Sequence, residues 1–123
     1  MGSFSAVRLL GVPVLLDEQL LGRAVDLLLD ADRGRLLGFV VESGAGSQRF
    51  LPYGAAQHAD GEITVQSALM LLDDVGFYRK RGVSFRSVLG DPVEGGGGRL
   101  ADMHIGQGGE VVEIQLDRTA TAA

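Results

Sequence analysis

The sequence has no cysteine among its 123 residues and no long apolar run. The missing cysteine excludes disulfides, thiolate nucleophiles and thiolate metal sites, and it fits a reducing cytoplasm. No stretch reaches the roughly 18 apolar residues that span a bilayer, and residues 1–5 lack the basic start and apolar core of a signal peptide. We therefore expect a cytoplasmic protein that does not insert into a membrane and folds without a covalent cross-link.

Basic side chains are fewer than acidic ones. The 11 lysines and arginines stand against 16 aspartates and glutamates, which gives a formal net charge of −5. The field of such a chain repels phosphate backbones, so we expect no nucleic-acid partner. With 46% hydrophobic and 22% charged residues, the composition is typical of a globular protein with one shared core.

The most informative pattern is an internal repeat. Three segments recur in the same order, which argues against coincidence and favours a repeated structural unit. We therefore divide the chain into repeat one, residues 5–80, and a shortened repeat two, residues 81–118. The tail, residues 119–123, is predicted to fray because it has nothing to bury. The matches join residues 10–14 with 89–93, residues 22–26 with 98–102, and residues 34–41 with 109–116.

Each repeat has the alternation of a β-hairpin. Apolar side chains at every second position predict strands with one buried face. Glycine with aspartate predicts a turn at residues 30–34, and glycine alone predicts one at residues 106–109. The buried faces are predicted to carry Val25, Leu27, Leu29, Leu37, Phe39 and Val41 in repeat one, and Ala101, Met103, Ile105, Val112, Ile114 and Leu116 in repeat two.

Repeat one continues where repeat two stops. Residues 48–53 and 62–65 predict two more strands, and Pro52 is expected to end the first of them. Residues 67–78 are apolar without a clear period, which leaves a helical turn and an irregular packed connector both open. Because repeat two has no counterpart of these strands, it is predicted to expose an unpaired strand edge.

Five segments of repeat one form a known order of motifs: Leu10-Gly11-Val12-Pro13-Val14, Leu21-Gly22-Arg23-Ala24-Val25-Asp26-Leu27-Leu28-Leu29-Asp30, Gly34-Arg35-Leu36-Leu37-Gly38-Phe39-Val40-Val41, Arg49-Phe50-Leu51-Pro52 and Ile63-Thr64-Val65. This order resembles the PRC-barrel family, which occurs in the H subunit of photosynthetic reaction centres, in a bacterial ribosome-maturation factor and as small stand-alone proteins. The resemblance implies a mainly β fold, a small and strongly bent antiparallel barrel, here with a shortened second repeat packed on it or completing it. It also implies docking on other proteins, with no shared catalytic residue and no common cofactor.

The resulting hypothesis is a non-catalytic protein-binding or scaffold module that acts through an apolar barrel face and forms a homodimer. In repeat one the outward side chains Leu28, Leu36 and Val40 are also apolar, and a strand pair that is apolar on both faces needs a cover on both. Residues 68–78, repeat two or another chain can supply that cover. Further predicted partner contacts lie where aromatic side chains adjoin the basic run 79–81, at Phe77, Tyr78 and Arg79.

The alternative function is binding of a small ligand or a divalent metal. Asp30 and Asp32 have the spacing that opens a calcium loop. Arg33 lies between Asp32 and the rest of that loop, and no glutamate stands at its twelfth position, so a structural hairpin turn is favoured.

A hydrolase would have to be assembled from distant residues. His58 and His104 are the only histidines, and their neighbours in sequence give no catalytic pattern. The serines lack the glycine-flanked elbow of a hydrolase. We therefore predict no catalytic residue, no metal site and no cofactor. The serines considered are Ser43, Ser47, Ser67 and Ser87.

Overall fold

The structure is a computed structural model that describes residues 3–59, 61–93 and 95–117, so the predicted tail lies outside the described residues. The chain is mainly β, as predicted. Its elements in order are β1 (Phe4–Ser5), helix α1 (Ala6–Leu9), β2 (Pro13–Leu16), β3 (Gln19–Asp30), β4 (Arg35–Glu42), β5 (Gln48–Pro52), a 3-10 turn (Tyr53–Ala55), β6 (Gln57–Ala59), β7 (Glu62–Val65), a 3-10 turn (Ala68–Met70), α2 (Val75–Arg81), β8 (Val83–Ser84), α3 (Phe85–Val88), β9 (Pro92–Val93), β10 (Gly98–Ile105) and β11 (Val111–Asp117).

The strands described form two sheets. The larger sheet is curled like part of a barrel and has the order β5-β4-β3-β2-β7-β6, with β8 also paired to β3. The smaller sheet has the order β1-β10-β11, with β9 paired to β10. The expectation of a barrel-like, mainly β fold is therefore confirmed. Below, the first hairpin means β3 and β4, and the second hairpin means β10 and β11.

The two hairpins exchange their preceding segments. Strand β1 pairs antiparallel with β10, so that Phe4 lies opposite Ile105, and α1 packs against the same hairpin. In the same way β8 pairs with β3, so that Ser84 lies opposite Leu28, and α3 follows onto the first hairpin. Each hairpin is thus covered by a segment that adjoins the other one in sequence. This exchange ties residues 4–9 and 83–88 into one shared core.

Two buried or half-buried aspartates hold the exchanged segments in place. Asp26 is buried and accepts hydrogen bonds from the Ser84 hydroxyl, from the Arg86 amide at 3.1 Å and from the Leu27 amide at 2.8 Å. Asp102 accepts the matching set from the Ser5 hydroxyl and from the amides of Val7 and Met103. Ser5 and Ser84 also cap α1 and α3. One carboxylate therefore satisfies the donors at the start of each short helix.

The two hairpins meet at their turns. The Leu36 amide donates to the Gly109 carbonyl at 2.6 Å, and the Val111 amide donates to the Gly34 carbonyl at 2.8 Å. Both glycines have positive φ, 64° for Gly34 and 91° for Gly109, a conformation that favours glycine. These two hydrogen bonds join the start of β4 to the start of β11.

Bulges change which side chains face the core. In the first hairpin the pairing skips Val25 on β3 and Leu37 on β4. A skipped residue reverses the alternation of the strand beyond it. As a result Val25 and Leu37 pack with a second buried cluster, whereas Leu36 belongs to the main core. The second cluster consists of Leu28, Val40, Phe50 and Val75. The sequence prediction was wrong for Val25, Leu36 and Leu37 because strict alternation assumes an unbroken ladder.

The second hairpin is bulged at matching places and is less buried than predicted. Its pairing skips Ala101 on β10 and Val112 on β11. Ala101 is exposed, and Val112 and Ile114 are 55% and 48% exposed. The prediction that these three side chains line a buried face was therefore wrong. Ile105 is fully buried, as expected, and Met103 and Leu116 are half-buried.

Candidate functional site

The edge of β11 that faces away from β10 carries no strand in the part of the chain that the structure describes. We call this the open edge. The corresponding edge of β4 is covered by β5, which places Leu51 opposite Phe39 and Phe50 opposite Val40. Phe39 is fully buried there, while Ile114, its counterpart on β11, is half exposed. The first hairpin thus has a neighbouring strand that the second hairpin lacks among the described residues.

Next to the open edge lies an apolar recess of about 430 Å³, which we call the β11 recess. It opens between the exchanged β8–α3 segment and the inner face of the second hairpin. Its volume is in the range of about 300–1,000 Å³ that is usual for binding pockets in proteins. Three charged residues, Asp30, Asp91 and Arg35, also line it. Its apolar lining comes chiefly from Val83, Val88, Val93, Leu100, Met103, Val111 and Ile114.

The predicted apolar docking face on the first hairpin is covered by the same chain. Leu28 and Val40 are 1% and 0% exposed and pack with Phe50, Val75 and Tyr78. Helix α2 and the segment before it supply this cover, which is one of the three sources that the sequence left open. Leu36, 3% exposed, lies in the main core. None of the three predicted contacts is therefore accessible to a partner in this structure.

The predicted contacts on α2 have different environments. Tyr78 stacks on Phe50 with ring centroids 4.0 Å apart, which fixes the helix against β5. Arg79 donates to the Gln48 side chain at 3.0 Å. Phe77 is 44% exposed, and the Arg81 guanidinium lies 4.4 Å above its ring. Tyr78 therefore has a structural contact within the chain, and Phe77 is the accessible aromatic side chain of this group.

The Asp30–Asp32 segment forms a hairpin turn, as the favoured interpretation predicted. The Asp30 carboxylate accepts from the Arg33 amide at 3.2 Å and lies 3.8 Å from the Arg33 guanidinium. Across residues 3–59, 61–93 and 95–117, no group of three histidine, cysteine, aspartate or glutamate side chains is placed to hold a metal ion. Asp30 thus stabilises the turn through its own neighbours.

Tyr53 joins the end of β5 to the turn of the second hairpin. Its hydroxyl donates to the Gln107 carbonyl at 2.8 Å. Burial raises the pKa of Tyr53, the nearby Glu110 carboxylate raises it further, and Arg35 opposes the change. The phenol therefore stays protonated and keeps its donor at neutral pH.

His58 lies at the contact between β6 and β1. The edge of the Phe4 ring approaches the His58 ring with centroids 4.0 Å apart. Burial lowers the pKa of His58 below its usual value of 6.5 because the charged imidazolium loses solvation there. Folding thus favours the neutral form of this imidazole.

A pH dependence of stability follows from this shift. Below a pH of about 6.5 the unfolded chain binds a proton at His58 that the folded chain resists, so the free energy of unfolding should fall as the pH is lowered. Replacing the imidazole in His58→Gln should remove this contribution. Chemical denaturation of both proteins between pH 5 and pH 8 measures it. Parallel pH profiles for the two proteins would contradict the assignment.

His104 has a serine and an aspartate near it, in a loose arrangement. The Ser3 hydroxyl lies 3.5 Å from Nδ1 of His104, and Nε2 lies 4.0 Å from the Asp102 carboxylate. Asp102 is occupied by the hydrogen bonds to the exchanged segment. Asp26 accepts the same set where Leu28 takes the place of the histidine. The role of both aspartates is therefore structural.

The serines considered from sequence lie elsewhere. Ser43 and Ser47 share a hydrogen bond of 2.9 Å. Ser67 accepts from the Leu69 amide, and Ser87 donates to the Ser84 carbonyl. Each of these hydroxyls therefore stabilises a turn or a helix end.

Sequence reasoning missed the exchanged segments and their aspartates, although a signal was present. Ser5 precedes Leu10-Gly11 by the same number of residues as Ser84 precedes Leu89-Gly90. Extending the repeat backwards by these residues would have included both helix caps.

No helix among the residues described is long and apolar enough to cross a membrane. A scan against models of protein families finds no match to this chain. A search of curated proteins finds no similar sequence. The candidate site is therefore interpreted from its own geometry, which consists of an open strand edge beside an apolar recess.

Proposed function

We propose that the protein is a non-catalytic binding module built from two PRC-barrel-like repeats, and that it docks on a protein partner through the open edge of β11 and the β11 recess. The observation that carries this proposal is the contrast between Phe39, buried under β5, and Ile114, exposed on the corresponding strand. An unpaired strand edge beside apolar side chains is a common template for binding an extended segment of another protein.

The matched contacts of the two hairpins support the tandem-repeat part of the proposal. Asp26 and Asp102 accept equivalent bonds. The bulges at Val25 and Ala101 occur at equivalent positions, as do those at Leu37 and Val112. A bulge is a local feature of one strand pair, whereas alternation of apolar residues is common to most strands. Their shared positions favour one structural unit used twice.

The chemistry of the open side indicates what kind of partner it fits. Ile114 and Leu116 lie on the inner face of β11, while Glu113 and Gln115 lie on either side of Ile114 in sequence and therefore on the opposite face. An added strand should therefore present apolar side chains to the inner face and polar side chains to the outer face. Its backbone should pair with the amide and carbonyl groups of β11 near Ile114 that point away from β10.

Site-specific photocrosslinking in the host cell tests the proposal. With the photoreactive amino acid p-benzoyl-phenylalanine in place of Ile114, irradiation should give a discrete adduct with a protein. The same amino acid at Leu69 is the matched control. Leu69 is also apolar and is 87% exposed, but it lies in the 3-10 turn Ala68–Met70 and not on a strand.

The position of the adduct decides the outcome. A protein adduct that forms at position 114 and is weak at position 69 supports docking on the open side. No adduct at position 114, or equal adducts at both positions, would contradict it.

A further inference from the structure

We propose that the strand that docks on β11 is β11 of a second molecule of the same protein, paired antiparallel about a twofold axis at Ile114. This inference rests on the proposed function and adds the identity and the register of the partner. It follows from the backbone groups of β11, from the charges along it and from the pattern of its side chains.

The side to which the amide and carbonyl of Ile114 point follows from Phe39, the corresponding residue on β4. On the side of β5 that faces away from β4, the Phe50 amide donates to the Leu72 carbonyl and the Leu72 amide donates to the Phe50 carbonyl, each at 2.8 Å. Because these groups alternate in direction along a strand, those of Leu51 point towards Phe39 on β4. Phe39 therefore directs its own backbone groups to the edge that β5 covers. The matching bulge places Ile114 in the same way, so its amide and carbonyl face the open edge.

Among twofold axes at the three central residues of β11, the charges favour the axis at Ile114. When two β11 strands pair antiparallel, their inner faces lie on the same side only if even-numbered residues lie opposite even-numbered ones and odd opposite odd. An axis at Glu113 would place two glutamates opposite each other, and an axis at Gln115 would place Glu113 opposite Asp117. An axis at Ile114 places Glu113 opposite Gln115 of the second molecule. Like charges directly opposite each other are destabilising, so the axis at Ile114 is favoured.

The side chains of β11 also meet the requirement for a covering strand. The two apolar residues Ile114 and Leu116 extend the inner face, and Glu113 and Gln115 meet the polar outer face formed with His104. Beyond the described residues, 118–123 contain no apolar side chain larger than alanine. A second β11 thus supplies apolar groups where this segment has none.

Single-cysteine variants measure the register without interference, because the chain has no cysteine of its own. In the proposed pair the two copies of position 114 lie opposite each other, with Cα atoms about 5.5 Å apart, which is within the range of a disulfide. Ile114→Cys should therefore form a covalent dimer on mild oxidation. Glu113→Cys and Gln115→Cys should each do so poorly alone and should cross-link to each other when mixed.

The cross-linking pattern has clear contrary results. Efficient disulfide formation by Glu113→Cys alone or Gln115→Cys alone would overturn the register. Cross-linking of Ile114→Cys no greater than that of Leu69→Cys would overturn the paired strands themselves.

The mass in solution tests the second molecule directly. Light scattering should give twice the mass of the chain for the wild-type protein. Ile114→Lys should raise the dissociation constant of the dimer at least about tenfold, since two lysines would lie opposite each other. Leu69→Lys should leave the dimer intact. A monomeric wild-type protein, or a dimer unchanged by Ile114→Lys, would overturn the inference.

The failure of this inference and that of the proposed function are distinguishable. A photoadduct at position 114 with a different protein, together with a monomeric mass, would leave docking on the open side in place and remove the second molecule. A photoadduct of twice the mass of the chain would support both.

Discussion

Replacing Asp26 with alanine is expected to lower the free energy of unfolding by about 3 kcal/mol, because buried donors would lose their acceptor. Asp26 is only 6% exposed, and its carboxylate accepts hydrogen bonds from the Ser84 hydroxyl and from the Arg86 and Leu27 amides. These bonds attach β8 and α3 to the first hairpin. Their loss should release the exchanged segment as well as reduce stability. Urea denaturation of Asp26→Ala and the wild-type protein measures the change.

The turn aspartate Asp30 is a suitable control. Asp30→Ala removes a carboxylate from the same strand, which accepts one hydrogen bond from the Arg33 amide and forms an ion pair with the exposed Arg33 guanidinium that contributes at most about 1 kcal/mol. Asp26→Ala should therefore cost much more than Asp30→Ala. Equal losses for the two variants would show that Asp26 does not anchor the segment.

Replacing Gly38 with alanine is expected to cost about 3 kcal/mol, because the added methyl group overpacks a buried sheet. A Cβ atom at Gly38 would lie 2.2 Å from the Leu51 carbonyl oxygen and 2.6 Å from the Phe50 ring. Strand β5 would have to move away from β4 to admit it. Thermal and chemical denaturation of Gly38→Ala should both show the loss.

Gly44→Ala is the matched control, since a Cβ atom there meets no atom within 4 Å and the residue has no positive φ. It should change stability little. The position on β11 that corresponds to Gly38 is occupied by Glu113, where no strand of the described chain restricts the side chain. If Gly38→Ala were as stable as Gly44→Ala, the close cover of β4 by β5 would be in doubt.

Much of the sheet is predictable from local sequence. Alternating apolar residues, together with glycine and aspartate at the turns, correctly located β3, β4, β10 and β11, and residues 62–65 were predicted with their observed bounds. Pro52 ends β5, as expected. These features depend on neighbours along the chain, which is why they can be read without a partner strand.

The side-chain faces were harder to predict because they depend on pairing between strands. The bulges at Val25 and Leu37 reverse the alternation, and each bulge is defined by the opposing strand. The cover of Leu28 and Val40 comes from α2, whose position is set by tertiary contacts such as Tyr78 on Phe50. The open edge of β11 was predictable, since repeat two shows no counterpart of strands β5 to β7 among the described residues.

Amide hydrogen exchange along β11 at high and low protein concentration tests most directly whether a second molecule covers the open edge. The amides of Ile114 and Leu116 should exchange slowly in the concentrated sample and faster after dilution below the dissociation constant. The amide of Phe39, which faces β5 within the chain, should stay slow in both. Rapid exchange at Ile114 at every concentration would contradict the paired strands.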